Sequence, residues 1–158
     1  MKKNILNMII AIIISTMMLF GCSSATNNEK ADSQNTEGNN AVSENIKEDG
    51  RYSTVEDVSE YIHIYGKLPQ NFITKSKATK LGWDSDKGNL WEATDKMSIG
   101  GDVFGNREGL LPKADGRKWF ECDINYSGGY RGAERIIYSN DGLIYYTNDH
   151  YNTFKKLY

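Results

Sequence analysis

Lys118-Trp-Phe-Glu-Cys-Asp-Ile-Asn-Tyr126 is the stretch whose reading decides the fold. Phe120, Cys122, Ile124 and Tyr126 alternate with Glu121, Asp123 and Asn125, the period-two pattern of a strand with one buried face. Further strands are expected at Ser98–Phe104, Glu134–Ser139 and Leu143–Thr147, with a short last one near Phe154–Leu157. Asn140-Asp141-Gly142 supplies a hairpin turn, since glycine tolerates positive φ. Upstream the period is helical. Thr54 can cap a helix whose Val55, Val58, Ile62 and Tyr65 make a buried stripe, with Glu56 and Asp57 near its positive end. Gly66 stops that helix and Pro69 forbids its continuation. Thr74 caps a shorter helix through about Leu81, closed by Gly82, and Asn89 to Ala93 reads as a third helical turn. Helices followed by hairpin-connected strands predict an α+β domain, with N-terminal helices packed on one face of an antiparallel β-sheet.

Alternation then places the chemistry. With Phe120, Cys122 and Ile124 toward the helices, Glu121, Asp123 and Asn125 project from the other face. On the next strand Ile136 and Tyr138 point inward and Arg135 outward, so carboxylate and guanidinium meet on an open sheet surface. Glu121 is the candidate general base, kept ionised by Lys75, Arg131 and Arg135, which would also stabilise negative charge on phosphorus. His150 is the candidate general acid, because an imidazole titrates near neutrality. A structural salt bridge at Glu121 and a solvated loop histidine are the plain alternatives. No cysteine or histidine cluster offers a metal site, and no cofactor is expected. His63 lies off the first helix's stripe and reads as solvated. The glycines of Ser127-Gly-Gly-Tyr-Arg131-Gly132 read as a tight turn delivering Arg131, since no convincing helix follows to cradle phosphate. Asp84-Ser-Asp86-Lys-Gly88 lacks most ligands of a calcium loop and reads as a polar turn.

In order and spacing, Ser98-Ile-Gly-Gly-Asp-Val-Phe-Gly-Asn-Arg-Glu108, Trp119–Tyr126, Arg131, Arg135 and Asp149-His150-Tyr151 closely resemble the barnase-like, guanyl-preferring microbial ribonucleases. The resemblance runs from about Val55 to Leu157 and takes in Gly66-Lys-Leu-Pro69, Asn71-Phe-Ile-Thr-Lys75-Ser and Leu81-Gly-Trp83. It implies the microbial ribonuclease fold. It also implies an endoribonuclease that cuts single-stranded RNA preferentially after guanosine, without metal, through a 2′,3′-cyclic phosphate that is then hydrolysed. Phe104, Gly105, Asn106, Arg107 and Glu108 would form the base-recognition loop. In the family, backbone N–H groups matching Asn106 and Arg107 bind guanine O6, and a carboxylate matching Glu108 accepts from guanine N1–H and the amine. Tyr151 matches the residue that stacks on the base, and Gly105 stands where barnase has serine. The resemblance implies single-stranded RNA and a small acidic barstar-like inhibitor as partners; the chain is expected to be a monomer. The rival from another class is a catalytically weak surface lipoprotein that binds RNA or a protein partner. A contact-delivered toxin shares the chemistry and differs in purpose.

Residues 1–21 read as a secretory signal: Lys2 and Lys3 precede an apolar run from Ile5 to Phe20. Leu19-Phe20-Gly21-Cys22 resembles the bacterial lipoprotein signal, in which cleavage leaves a lipidated cysteine first. An extracellular protein held to a membrane by lipid on Cys22 is the expectation, with a fully secreted form or an uncleaved anchor as alternatives. Residues 22–50 lack apolar periodicity and read as a flexible acidic tether, which leaves 51–158 as the ribonuclease domain. The chain carries a formal charge of −2. Most of that negative balance sits in the tether, so the near-neutral domain gives no support to nucleic-acid binding from bulk charge. Cys122 shares its face with apolar residues only and reads as a buried small hydrophobe rather than a nucleophile.

Overall fold

The computed structural model describes residues 46–158. The expected signal sequence, Cys22 and the tether up to residue 45 lie outside the described residues. Helix α1 (Val55–Tyr65) starts where Thr54 accepts a hydrogen bond from the Asp57 N–H, and stops at Gly66 in the left-handed region, φ 65°. Its buried face is Val58, Ser59, Tyr61 and Ile62, whereas Val55 and Tyr65 of the expected stripe are half-buried. Tyr61 is drawn in because its hydroxyl donates to the Glu48 carbonyl at 2.8 Å and its ring packs between Tyr52 and Tyr65. That contact moves a boundary. Ile46 is buried, the Tyr65 hydroxyl donates to its carbonyl, and Lys67 pairs with Glu48. The last five residues assigned to the tether therefore pack on the domain, which begins before the expected Arg51.

After α1 come β1 (Phe72–Ile73), α2 (Lys75–Lys80), α3 (Leu90–Ala93), β2 (Ser98–Phe104), β3 (Trp119–Asp123), β4 (Arg135–Ser139), β5 (Ile144–Thr147) and β6 (Lys155–Lys156). The six strands lie side by side in chain order. Every pairing from β2 onward is antiparallel, and β1 joins β2 in parallel. Two residues are too few to show a period, which is why β1 escapes a reading of alternation. Strand β3 stops at Asp123, short of the expected Tyr126, and Asn125 takes a left-handed backbone, φ 56°.

One face of the sheet receives α1: Val58 and Ile62 pack on Cys122, Ile124, Ile136, Tyr138 and Ile144. Ala78, Trp83 and Leu90, from the α2–α3 region, pack with Ile73, Ile99 and Tyr126 in a second cluster. The opposite face is not open along its length. There Trp119 and Ile137 are buried with Leu111, and Phe104, Tyr145, Tyr151 and Phe154 pack against them. Since β3 residues 119, 121 and 123 share that face, it runs from an apolar end at Trp119 to a charged end at Asp123. A bulge between Gly100 and Asp102 lets Gly100 oppose Cys122 while Asp102 opposes Glu121. Gly101 sits at φ 91°, a conformation that glycine supplies without strain.

Candidate active site

Asp123 is the centre of the charged end. Its register partner across β3 and β4 is Arg135, and the pair is almost wholly withdrawn from solvent, 2% and 3% exposed. Arg135 Nε lies 2.9 Å from Asp123 Oδ1, an ion pair without hydrogen-bond alignment, and Arg135 Nη1 donates to the Gly132 and Glu134 carbonyls. Arg131 closes on the same carboxylate through two bonds, Nε to Oδ2 at 2.6 Å and Nη2 to Oδ1 at 2.7 Å. The segment before Arg131 is the tight turn expected from its glycines, with Gly128 and Gly129 at φ 94° and 73° and the Tyr126 hydroxyl donating to the Gly129 carbonyl. Both guanidinia are thus locked by one buried acid.

Two residues earlier on the same face, Glu121 is 6% exposed. The sequence places it on an open sheet surface; the structure instead buries it, because Tyr151 and Lys75 close over the strand. Lys75 Nζ donates to Oε1 at 2.5 Å and the Tyr151 hydroxyl donates to Oε2 at 2.6 Å. Lys75 is aimed by its position at the start of α2. Thr74 caps that helix, and Asp102, across from Glu121, accepts the Lys75 backbone N–H at 2.9 Å. Burial by itself raises the Glu121 carboxyl. The hydrogen bonds from Lys75 and Tyr151 and the charges of Lys75 and Arg131 outweigh it, so the group lies below its ordinary value of 4.5. Tyr151 moves the other way, pushed up to about 12 by burial and by its bond to Glu121.

His150 and Tyr151 occupy consecutive left-handed positions, φ 56° and 74°, which non-glycine residues rarely adopt. Asp149 holds them there. One of its oxygens accepts from Thr147 Oγ1 and from the Asn152 and Thr153 N–H groups, and the other accepts from Thr153 Oγ1. Those bonds, from Thr153 first, lower its pKa to about 2. The exposed His150 lines a cavity of about 470 Å³ together with Arg131 and Arg135, and its ring lies 5.0 Å from that of Tyr151. Tyr151 therefore bridges the histidine to the buried carboxylate.

Of the residues singled out in the sequence, Lys75, Glu121, Arg131, Arg135, His150 and Tyr151 converge. Phe104 joins them, its ring stacked on Tyr151 at 5.3 Å and 26°. The loop that follows is shaped by Asn106 at φ 43°, whose side chain donates to the Leu111 carbonyl and accepts the Leu111 N–H. Arg107 and Glu108 are exposed on it. A Cβ at Gly105 would meet Arg107 Cγ at 3.5 Å, an ordinary contact, so this loop does not demand glycine there. Asp123, Asp102 and Asp149 are the acids that the site reading leaves out. Asp123 could have been found from its two-residue spacing to Glu121. Asp102 is masked by the bulge, and the Asp149 turn by the absence of a regular period. Elsewhere, Cys122 is buried and its thiol pushed up by that burial, while exposed His63 stacks on Tyr158 at 4.1 Å. The Asp84–Gly88 segment is a polar turn in which Asp84 accepts the Asp86 N–H and pairs with Lys87.

The sequence model of the ribonuclease family matches residues 55–158. A ribonuclease of Heyndrickxia coagulans is 55% identical over 105 residues, 66% of this chain and 96% of that one. A ribonuclease of Bacillus intermedius is 55% identical over 105 residues, and the chain spans 65% of its length. Guanyl-specific ribonuclease St of Saccharopolyspora erythraea is 41% identical over 56 residues, 35% of this chain and 55% of that protein.

The two hydrogen bonds on Glu121 have a measurable consequence. Because its folded pKa is depressed, the carboxylate stabilises the fold above its unfolded value, and that contribution disappears as pH falls through the folded value. Tyr151→Phe keeps the ring and removes one donor to the charged form. The Glu121 titration, followed by carboxyl NMR, should shift to higher pH in that variant; an unmoved or lowered midpoint contradicts the arrangement.

Proposed function

The chain belongs to the ribonuclease family, and we propose that this endoribonuclease cuts single-stranded RNA preferentially after guanosine by internal transphosphorylation. The observation that carries the proposal is the convergence of an ionised, buried Glu121 and two Asp123-locked guanidinia, with His150 on the wall of the cavity those guanidinia line. Glu121 takes the proton of the ribose 2′-OH, and that oxygen attacks the adjacent phosphorus. Each carboxylate oxygen spends one lone pair on Lys75 or Tyr151 and keeps another for this proton. His150 gives a proton to the departing 5′-oxygen, leaving a 2′,3′-cyclic phosphate. In the second step the roles reverse, and His150 deprotonates the water that opens the ring. Lys75, Arg131 and Arg135 hold the added charge on phosphorus, and their pairing to acids means they need little reorganisation as it develops. The nucleophile belongs to the substrate, so no metal-activated water is required and DNA, lacking the 2′-OH, is not a substrate.

Guanine preference is assigned to the Phe104–Glu108 loop, with Asn106 and Arg107 backbone N–H groups toward O6 and Glu108 toward N1–H and the amine. The stacked Phe104 and Tyr151 rings mark where a base would lie. The name of the Saccharopolyspora relative supports the same preference. The remaining proposals concern the cell. The chain is exported and held at a membrane's outer face by lipid on Cys22, and a small acidic barstar-like protein inhibits it by covering the cationic site.

Glu121→Gln and His150→Gln should each lower turnover of RNA by on the order of 100-fold or more while the folded NMR spectrum persists. Assays in EDTA with product analysis check this, and near wild-type rates in either variant refute the assignment. Glu108→Gln replaces one acceptor by a mixed amide facing guanine donors, so it should reduce the ratio of guanosine- to adenosine-dinucleotide cleavage. An unchanged ratio would move recognition to another loop. Cys22→Ser should release the protein from the membrane fraction without altering its specific activity, and retention there would make the apolar run the anchor.

A further inference from the structure

The loop between β2 and β3, residues 105–118, carries the groups to which guanine recognition is assigned, yet its backbone pairs little with itself. Among the described residues two backbone hydrogen bonds close within it, from the Gly109 N–H to the Asn106 carbonyl and from the Arg117 N–H to the Ala114 carbonyl. Both are local turns, and neither fixes where the loop sits. Side chains set its position. Leu111, 2% exposed, plugs the loop into the apolar cluster of Trp119 and Ile137. Its N–H and its carbonyl are both taken by the Asn106 side chain, so residues 106–111 are closed into a ring. A second fastening begins at the next residue. The Pro112 carbonyl accepts from Arg117 Nη1 at 3.0 Å. Nε and Nη2 of the same guanidinium donate to the Asp141 carboxylate, at 2.9 Å and 2.7 Å.

Arg117 is well held for a loop residue. Its side chain is 14% exposed, and its guanidinium carbon lies 5.7 Å from the centre of the Trp119 ring. Asp141 belongs to the turn between β4 and β5, and its neighbour Asn140 grips the same limb of the loop. The Asn140 side chain accepts the Lys118 N–H at 2.7 Å and donates to the Gly116 carbonyl at 3.1 Å. A continuous path therefore runs from the β4–β5 turn through Asp141, Arg117, the Pro112 carbonyl and Leu111 to Asn106 and the N–H groups beside it. We propose that Arg117 is a positioning residue for base discrimination, acting through Pro112 and Leu111 rather than by contact with substrate. The inference rests on the assignment of guanine recognition to the Phe104–Glu108 loop. The planar fork is what the task needs, because one side chain must serve a carboxylate and a carbonyl at once. Lysine keeps the charge opposite Asp141 but not the bond to Pro112. A loosened loop then has to be ordered by guanine itself, which costs affinity. Adenine offers no O6 to those N–H groups and is indifferent to where they stand.

The test compares cleavage of guanosine- and adenosine-containing dinucleotides by variants held below their thermal transitions. Arg117→Lys and Asp141→Asn should each lower the guanosine-to-adenosine ratio of kcat/KM about three- to tenfold, the worth of one weakened hydrogen bond. The loss should fall on the guanosine substrate as a raised KM with kcat kept, while the adenosine substrate keeps its rate. Asn140→Ala is the milder variant and should move the ratio in the same direction. Combining Arg117→Lys with Asp141→Asn should lower the ratio no further than either alone, since both cut one path. Tyr61→Phe is the control for lost stability: it removes the bond to the Glu48 carbonyl, on the other face of the sheet, and should leave the ratio alone. An unchanged ratio in the folded Arg117 and Asp141 variants, or an equal fall in Tyr61→Phe, makes the pair purely structural and overturns the proposal. Glu108→Gln separates this inference from the reading beneath it. A ratio that falls in Glu108→Gln and holds in Arg117→Lys overturns the positioning role alone. A ratio that holds in both overturns the loop's assignment to guanine, and the positioning role with it.

Discussion

A buried carboxylate must be matched by positive charge, and Asp123 meets that requirement with two arginines at once. Desolvating three charged groups is expensive, and their mutual attraction recovers the cost only when the geometry is good and the remaining donors are used. Here Arg131 presents two aligned bonds, and Arg135 spends Nη1 on the carbonyls of Gly132 and Glu134. The constraint reaches outward from there. It fixes where β3 ends, it requires the glycine turn that brings Arg131 back over the strand, and it sets the register of β3 on β4. Glu121, two residues away, stays ionised despite its burial chiefly through the hydrogen bonds from Lys75 and Tyr151, and the charge of Arg131 adds to them.

The far face of the sheet divides its work along the strands. At the Trp119 end the side chains form an apolar cluster with Ile137 and Leu111; two residue pairs further on they are charged. The apolar end supports the charged one, because Tyr151 and Phe104 belong to both: their rings pack on the cluster, while the Tyr151 hydroxyl reaches Glu121. Hydrophobic packing thereby sets the position of a polar contact. A loop residue is held to a strand residue with the precision of a core, as a preorganised site requires.

Much of this was legible in the sequence because it follows from period. The alternation from Trp119 to Asp123, the helical spacing after Thr54 and the glycine stops locate strands, helices and the facing of Glu121 and Arg135. What escaped has no period. The two-residue β1 is too short, the bulge at Gly101 resets the facing of Asp102, and the docking of Ile46 and Glu48 depends on tyrosine hydroxyls reaching backward along the chain. Alternation predicts an open sheet face because it reports direction, not cover. Only the loop carrying Tyr151 and the helix start carrying Lys75 decide that Glu121 is buried. The sequence shows Asp149 as a neighbour of His150, but its task as the acceptor that shapes the loop depends on Thr153 and Asn152, whose significance is purely geometric.

The left-handed backbone at His150 and Tyr151 bears on how such a protein ages. A residue with a Cβ is disfavoured there, and Asp149 must supply several hydrogen bonds to keep the conformation. Backbone strain alone would favour glycine or asparagine at both positions. The Tyr151 ring is also kept by its packing on the apolar cluster, whereas the exposed imidazole of His150 has only its proposed chemistry to keep it there. In a lineage released from that demand, position 150 would be among the first to drift, toward side chains more comfortable in that backbone. The same sheet, core and arginine pair would remain as a relic of the lost activity.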